Sequence, residues 1–338
     1  MSLIWNNNIS VSYFGEDDDS VVGITITGLP VGEYINAEEI GKFLSRLSVK
    51  NLGGGKIPAP RILSGIKNER TTGSPLCAVL KNTPSKKDDC DAPENFRYGH
   101  GDYTGAVCSR GYCDTVKNAL VAERFALPLC FAGAVCGQIL ERRGIYTGAH
   151  ISQIHNTKDN PFDTVNISRD ALLSVRTKDF PVINDRKGWK MLEDISIASE
   201  ADETLGGIVE CACVNVPSGV GSPLFNGLTN NIAQLLFTVP DIAGLEFGAG
   251  FSSAAMAGSQ YSDSSYINEQ GYSITKTNSH GGMISGVSSG MPITMKAAFR
   301  PAAKGSIPCC TVPCAVVYVE SAVNIALLSA MLDYPNFC

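Results

Sequence analysis

Charge is sparse in this chain and nowhere gathers into a basic stripe. Asp, Glu, Lys and Arg make up 18% of its 338 residues, and the formal net charge is −6. Nucleic-acid surfaces need Lys and Arg clustered along one face, so no nucleic-acid partner is expected. Histidine is scarcer still, with four residues and no paired C-x-x-C arms beside them. Zinc centres depend on that spacing, so no metal is expected. The first ten residues are polar and uncharged and carry no secretory signal. The longest apolar run, residues 314–331, is interrupted by Glu320 and Asn324. It reads as a core helix rather than a membrane span, and Glu320, if buried, must have a partner. These absences point to a cytoplasmic protein with no membrane partner. No Pro- or Ser-rich linker and no abrupt change of composition divides the chain, so residues 1–338 read as one domain. Cysteine, by contrast, is plentiful: twelve residues, scattered singly or as Cys211-x-Cys213 and Cys309-Cys310. Without a leader or a ligand pattern, reduced buried thiols are the expected state.

What is present is enough apolar material for a sizeable core, 44% of the residues. The organising stretch is residues 278–301, where Gly281, Gly282, Gly286 and Gly290 alternate with Ser285, Ser288 and Ser289. A missing Cβ lets backbone approach a ligand, so the stretch reads as a cradle for a flat, phosphorylated molecule or as a surface loop of turns. A strand follows over residues 293–299. Earlier, residues 21–27 alternate as a half-buried strand and end in Gly28-Leu-Pro-Val-Gly32, a turn signature. Asn36 then caps a helix, with Glu39 completing a capping box and Ile40, Phe43, Leu44 and Leu47 on one face. Short strands are expected over 61–66 and 76–81, a long buried helix over 118–142, a strand over 144–151 and a short helix over 189–199. Residues 207–216 form another strand, followed by a Pro/Gly turn and a helix over 228–237, which repeats the first unit. The closing helix, 314–332, is apolar almost all round and belongs between layers. The fold class is α+β, with helices between sheets and an internal pseudo-two-fold repeat.

Several segments together carry a family resemblance. Phe14-Gly15-Glu16 with residues 23–32, Leu63-Ser-Gly-Ile66, Thr71-Thr-Gly-Ser-Pro75, Arg97-Tyr-Gly-His-Gly-Asp-Tyr-Thr104 and residues 278–301 resemble, in order, the motifs of chorismate synthases. The resemblance covers residues 11–333. It implies a sandwich of helices between antiparallel sheets, a homotetramer (a dimer of dimers), and reduced FMN as cofactor. It also implies the 1,4-elimination of phosphate from 5-enolpyruvylshikimate 3-phosphate to give chorismate, a step of the shikimate pathway. Carried over by position, His100 falls where the family has its flavin histidine and Asp18 where it has the phosphate histidine. Arg124 and Arg46 fall on substrate-binding arginines. Asn278, Gly281, Gly282, Ser288 and Arg300 fall on the cofactor side.

The sequence departs from the family pattern where the chemistry is concentrated. Asp18 replaces a histidine, and Ile307 or Pro308 replaces an aspartate that assists proton removal. Residues 116–122, Val-Lys-Asn-Ala-Leu-Val-Ala, replace a glycine-rich segment, and the arginine-rich segment after the first helix is reduced to Arg46 and Gly53-Gly54-Gly55. Three function classes therefore stand: a working lyase with substituted groups, a catalytically impaired paralogue that keeps the fold for binding or regulation, and a related lyase or binding protein that uses the cleft for another ligand. Outside these positions, His150, His155 and His280 read as structural, with His280 also placed to line the cleft.

Overall fold

A computed structural model describes residues 3–15, 21–48, 57–81, 102–108, 110, 123–267, 271, 273–302 and 309–335. The amino-terminal half builds one five-stranded sheet. Its elements are β1 (Ile4–Asn6), β2 (Ser10–Phe14), β3 (Val21–Thr27), helix α1 (Ala37–Ser45), β4 (Arg61–Ser64), a small hairpin of β5 (Ile66–Lys67) and β6 (Arg70–Thr71), and β7 (Leu76–Lys81). The sheet order is β1-β2-β3-β7-β4, antiparallel throughout. Val22, Ile24 and Ile26 of β3 stand opposite Leu80, Ala78 and Leu76 of β7, and all six are buried. That period-two alternation turns one face of the sheet inward.

Helices α2 (Asp102–Cys108) and α3 (Glu123–Arg142) follow, then β8 (Tyr146–Ile154), β9 (Thr157–Lys158), α4 (Arg169–Arg176), α5 (Asp185–Glu200), β10 (Gly207–Val214), α6 (Leu228–Leu236) and β11 (Ile242–Phe247). Beyond these lie α7 (Gly258–Tyr261), two hairpins, β12 (Ser265–Ile267) with β13 (Ser273–Thr275) and β14 (Met283–Ile284) with β15 (Val287–Ser288), then β16 (Ile293–Phe299) and α8 (Val312–Met331). The second sheet runs β11-β16-β10-β8-β9, again antiparallel. In each half the central strand, β3 or β10, leads through a Pro/Gly turn into a nine-residue amphipathic helix, α1 or α6.

Helices α3 and α8 fill the space between the sheets. α3 packs on β2, β3 and β7, α8 packs on β8 and β10, and the two pack against each other. Their contact is close because Gly133 carries no side chain: a Cβ there would stand 2.3 Å from the Cα of Ser321. Residues from both sheets and both helices form one continuous apolar core. α8 is long and apolar enough to cross a membrane, but it lies buried between the layers, as its all-round apolarity requires here.

Two local expectations change. Asn36 does cap α1, its Oδ1 accepting from the N–H groups of Glu38 at 2.8 Å and Glu39 at 3.3 Å. The capping box is not closed by Glu39. Gln138 of α3 takes that place, accepting from Asn36 N at 2.9 Å and donating to Asn36 O at 3.0 Å, while Glu39 turns to Lys42. The helix expected over 189–199 begins earlier, at Asp185, because Asn184 supplies the cap that accepts from Arg186 N. The described part of the long helix expected from residue 118 begins at Glu123.

Candidate functional site

The residues expected to carry chemistry fall in three places. His100, Asp18, Ile307, Pro308 and residues 116–122 lie outside the described residues, and of Arg124 only the backbone, in the first turn of α3, is described. The remaining six can be followed atom by atom.

Arg46 ends α1 and is turned inward. Its Nη1 and Nη2 donate to Oε2 and Oε1 of Glu320 at 2.6 and 2.8 Å, a bidentate pair, and its guanidinium lies 5.3 Å from the centre of the Phe43 ring. Glu320 is 1% exposed in the middle of α8, accepts a further bond from Ala149 N at 3.0 Å, and has Arg176 Nε at 3.7 Å. The acid in the apolar helix thus has the partner its burial demands, and Arg46 supplies it.

The loop from Asn278 to Gly290 is held from within. Asn278 donates from Nδ2 to the carbonyls of Thr164 and Pro292, each at 2.8 Å, and accepts from Gly282 N at 2.7 Å. Ser288 donates to Pro217 O at 2.6 Å and accepts from Val220 N at 2.9 Å. Gly281 and Gly282 have φ of 64° and 77°. A Cβ on Gly281 would stand 2.4 Å from Gly248 N, and one on Gly282 would stand 2.4 Å from Pro292 O. The cradle expected of these glycines is therefore a close backbone-to-backbone joint on the side where a side chain would project. Two Gly-rich turns, 217–228 and 278–290, are stitched together by Leu228 N to Gly286 O, Gly219 N to Ser288 O and Ser288 N to Val220 O. His280, in the second of these turns, pairs through Nδ1 with Asp263 Oδ2 at 2.7 Å, and its ring lies tilted against that of Tyr261. Burial raises the carboxyl pKa of Asp263, but bonds from Thr277, His280 and two backbone amides outweigh it and leave the group far below the usual carboxylate range.

Arg300 sits at the other end of β16. That strand has seven residues, about 23 Å at roughly 3.3 Å each, so Arg300 and the 278–290 loop do not converge on one phosphate within this chain. Arg300 also pairs with Asp241, Nη2 to Oδ1 at 3.0 Å. Among the described residues, Arg300 thus stands about a strand's length from the other four residues assigned to a cofactor. Their polar groups are engaged by the protein itself.

Two polar centres were not legible in the sequence. His150, fully buried on β8, lies between Asp159 Oδ2 at 3.1 Å and Glu210 Oε2 at 2.8 Å, with Phe162 edge-on against its ring. Burial works against its protonation, but the two carboxylates prevail and raise its pKa above the ordinary histidine value. The second centre is a polar cleft of about 410 Å³ at the carboxy-terminal end of α3, lined by Arg142, Arg169, Arg176, Glu141, Tyr146 and Asn324 among others. Both are assembled by cross-strand or cross-helix contacts that leave no mark in local spacing. The cysteines among the described residues are free; Cys130, Cys136, Cys211, Cys213 and Cys310 are buried, whereas Cys108 is exposed and Cys77, Cys309 and Cys314 are partly so, and burial pushes Cys130 and Cys310 up to about 12. No group of three or more His, Cys, Asp or Glu among the described residues could hold a metal ion.

A two-sheet sandwich with paired core helices and these motif loops defines a class, and comparison with known proteins names it. The chorismate synthase family model matches residues 9–314. Chorismate synthase of Thermococcus kodakarensis is 31% identical, over 96% of this chain and 96% of that protein. Chorismate synthase of Lancefieldella parvula is 31% identical, over 99% and 98%. A crystal structure of a chorismate synthase superposes with a TM-score of 0.81 at 24% identity, covering 97% of this chain and 92% of that one. This chain belongs to the chorismate synthase family.

Proposed function

We propose that this protein is a divergent chorismate synthase homologue in which the elimination of phosphate from 5-enolpyruvylshikimate 3-phosphate is strongly reduced. The observation that carries this reading is the bidentate closure of Arg46 on buried Glu320, which withdraws a cation expected for the substrate. A substrate bearing phosphate and carboxylate needs free cations and an acid beside the leaving group. Asp18 replaces the histidine at that position. An ionised carboxylate about 4 Å from a phosphate charge repels it by roughly 1 kcal/mol in water and about 4 kcal/mol at an effective dielectric near 20. Ile307 or Pro308 supplies no carboxylate for proton removal, and residues 116–122 lack the glycines that would let backbone approach the cofactor. Reduced FMN, which in the family supplies the electron-rich partner for the elimination, is accordingly expected to bind weakly. The fold would then serve binding or regulation.

The test is an anaerobic assay with reduced FMN and 5-enolpyruvylshikimate 3-phosphate, on the native protein and on Asp18→His. Groups that act as one unit are not repaired singly, so neither form is expected to turn over measurably. Native turnover near 1 s⁻¹, the low end of ordinary enzymes, would overturn the reading, and so would submicromolar affinity for reduced FMN in a parallel titration. A second reading, a working lyase, is favoured by His100 within Arg97-Tyr-Gly-His-Gly-Asp-Tyr-Thr104. The same assay decides between the two.

A further inference from the structure

The cleft at the carboxy-terminal end of α3 lies far from Arg124 and borders Arg46, whose guanidinium sits over the cleft-lining Phe43. Arg124 opens α3 and Arg142 closes it, 18 positions or roughly 27 Å along the helix axis. At about 410 Å³ the cleft has the size of a small-molecule site.

Its charges are nearly all accounted for, and the exceptions are informative. Arg142 is held by Glu33 at 3.1 Å, and Arg176 by Glu141 Oε1 at 2.6 Å. Glu39 is held by Lys42 at 3.2 Å, and Gln138 is engaged by both backbone groups of Asn36. Arg169 is different. Its guanidinium lies 4.6 Å from the centre of the Tyr146 ring and, among the described residues, meets no carboxylate. Glu141 uses Oε1 for Arg176 and leaves Oε2 without a described partner.

Asn324 is the second independent sign. It lies 5% exposed on the otherwise apolar α8 and lines the cleft. Its Nδ2 donates to Gly133 O at 3.3 Å, whereas its Oδ1 accepts no bond from the described residues. Gly137 leaves the room for it: a Cβ there would stand 2.7 Å from Asn324 Nδ2. Asn324 Oδ1 is therefore open to the cleft and offers an acceptor to a donor that enters it.

One guanidinium that meets no carboxylate among the described residues, one carboxylate oxygen without a described partner and one carboxamide oxygen open to the cleft, beside the rings of Tyr34, Phe43 and Tyr146, are complementary to a zwitterion with an apolar tail. We propose that this cleft binds an α-amino acid with an aromatic or large apolar side chain. Arg169 takes the carboxylate, Glu141 Oε2 and Asn324 Oδ1 take the ammonium, and the aromatic rings cover the side chain. An inorganic phosphate or other small dianion would gain from Arg169 but meet the second carboxylate oxygen of Glu141 without offering it a donor, so it is disfavoured.

The experiment is isothermal titration calorimetry of the full chain with L-phenylalanine. 3-Phenylpropanoate lacks the ammonium, phenethylamine lacks the carboxylate, and inorganic phosphate serves as the anion control. Saturable binding of L-phenylalanine is expected. Each one-charge analogue should bind at least about tenfold more weakly, the scale of one lost charge-assisted hydrogen bond. Arg169→Gln, at an exposed position that leaves the fold intact, should weaken L-phenylalanine by a similar factor, and Lys190→Gln on exposed α5 should not. The proposal fails if L-phenylalanine gives no saturable heat up to about 10 mM, where binding becomes too weak to be specific. It also fails if either analogue or phosphate matches L-phenylalanine, or if Arg169→Gln binds it unchanged.

Discussion

Glu320 and Arg46 show how one residue fixes the task of another far away in sequence. A carboxylate at the centre of α8 must be paired, and the pair consumes the arginine that family position would assign to substrate. Breaking a buried pair from one side leaves an uncompensated charge, at a cost of about 3–5 kcal/mol. Arg176 at 3.7 Å and Ala149 N remain to Glu320, so Arg46→Ala should destabilise by about 3 kcal/mol, the low end of that range, in urea unfolding. A change below roughly 0.5 kcal/mol, the scale of an exposed ion pair, would show the pair to be dispensable and Arg46 free for ligand.

His150 makes a second prediction at this scale. Its pKa is raised above the ordinary 6.5, chiefly against burial and by hydrogen bonds to Asp159 and Glu210. Its contribution to stability is therefore full below about pH 6.5 and is lost as pH rises through the raised value. Asp159 acts in the opposite direction: its carboxyl is held below the ordinary 3.8, so its contribution is lost only as the solution becomes strongly acid. The other charge facing this group is Lys296, 4.0 Å from Glu210 on the neighbouring strand. Thermal melting should show Tm falling as pH rises above about 6.5 through the raised value. His150→Gln should melt lower at pH 6 and lose that slope. An unchanged slope in the variant would assign the pH dependence elsewhere.

At the scale of elements, the α3–α8 contact is set by glycine. Gly133→Ala would drive a methyl into the backbone of Ser321, which cannot swing aside, whereas Gly137→Ala meets the movable carboxamide of Asn324. Overpacking costs about 1–3 kcal/mol, so Gly133→Ala should lie at the top of that range and Gly137→Ala clearly below it. Chemical denaturation midpoints of the two variants check the order, and a reversed order would mean that the helices separate more easily than their packing implies. The joint between the 217–228 and 278–290 turns follows the same logic. Gly221, Gly227 and Gly286 are required there by backbone approach, while Asn278 fixes the start of the second turn by bonding backbone groups of Thr164, Gly282 and Pro292.

For the whole molecule, family membership and the apolar surface beside β1 motivate an assembly prediction. Leu3, Ile4 and Phe237 are exposed around a largely apolar groove bounded by β1 and α6. We expect a homotetramer, or at least a dimer, in solution. Light scattering that found only monomer at micromolar concentration would count decisively against this.

How much was legible beforehand divides along a physical line. Signals carried by neighbouring residues were readable: the alternation of β3, the Asn36 cap, the all-round apolarity of α8, and the ordered motifs that place the chain in its family. The chemistry of the site was legible only as a set of positions, because the sequence states which residue stands where and not what it touches. That Glu39 does not close the capping box, and that Arg46 serves Glu320, depends on partners 102 and 274 positions away. The glycines of the 278–290 loop read equally well as a ligand cradle or as a backbone joint, since both need a missing Cβ. The tertiary structure adds that Gly248 and Pro292 stand where the Cβ of Gly281 and of Gly282 would be. The sequence alone determined strands β3, β7, β8, β10 and β16, the core helices and the family, because these rest on periodicity and on local turn chemistry. Only the tertiary structure decided which charges are committed to one another and which, like Arg169, remain free, because electrostatic partnership is a property of distance in space.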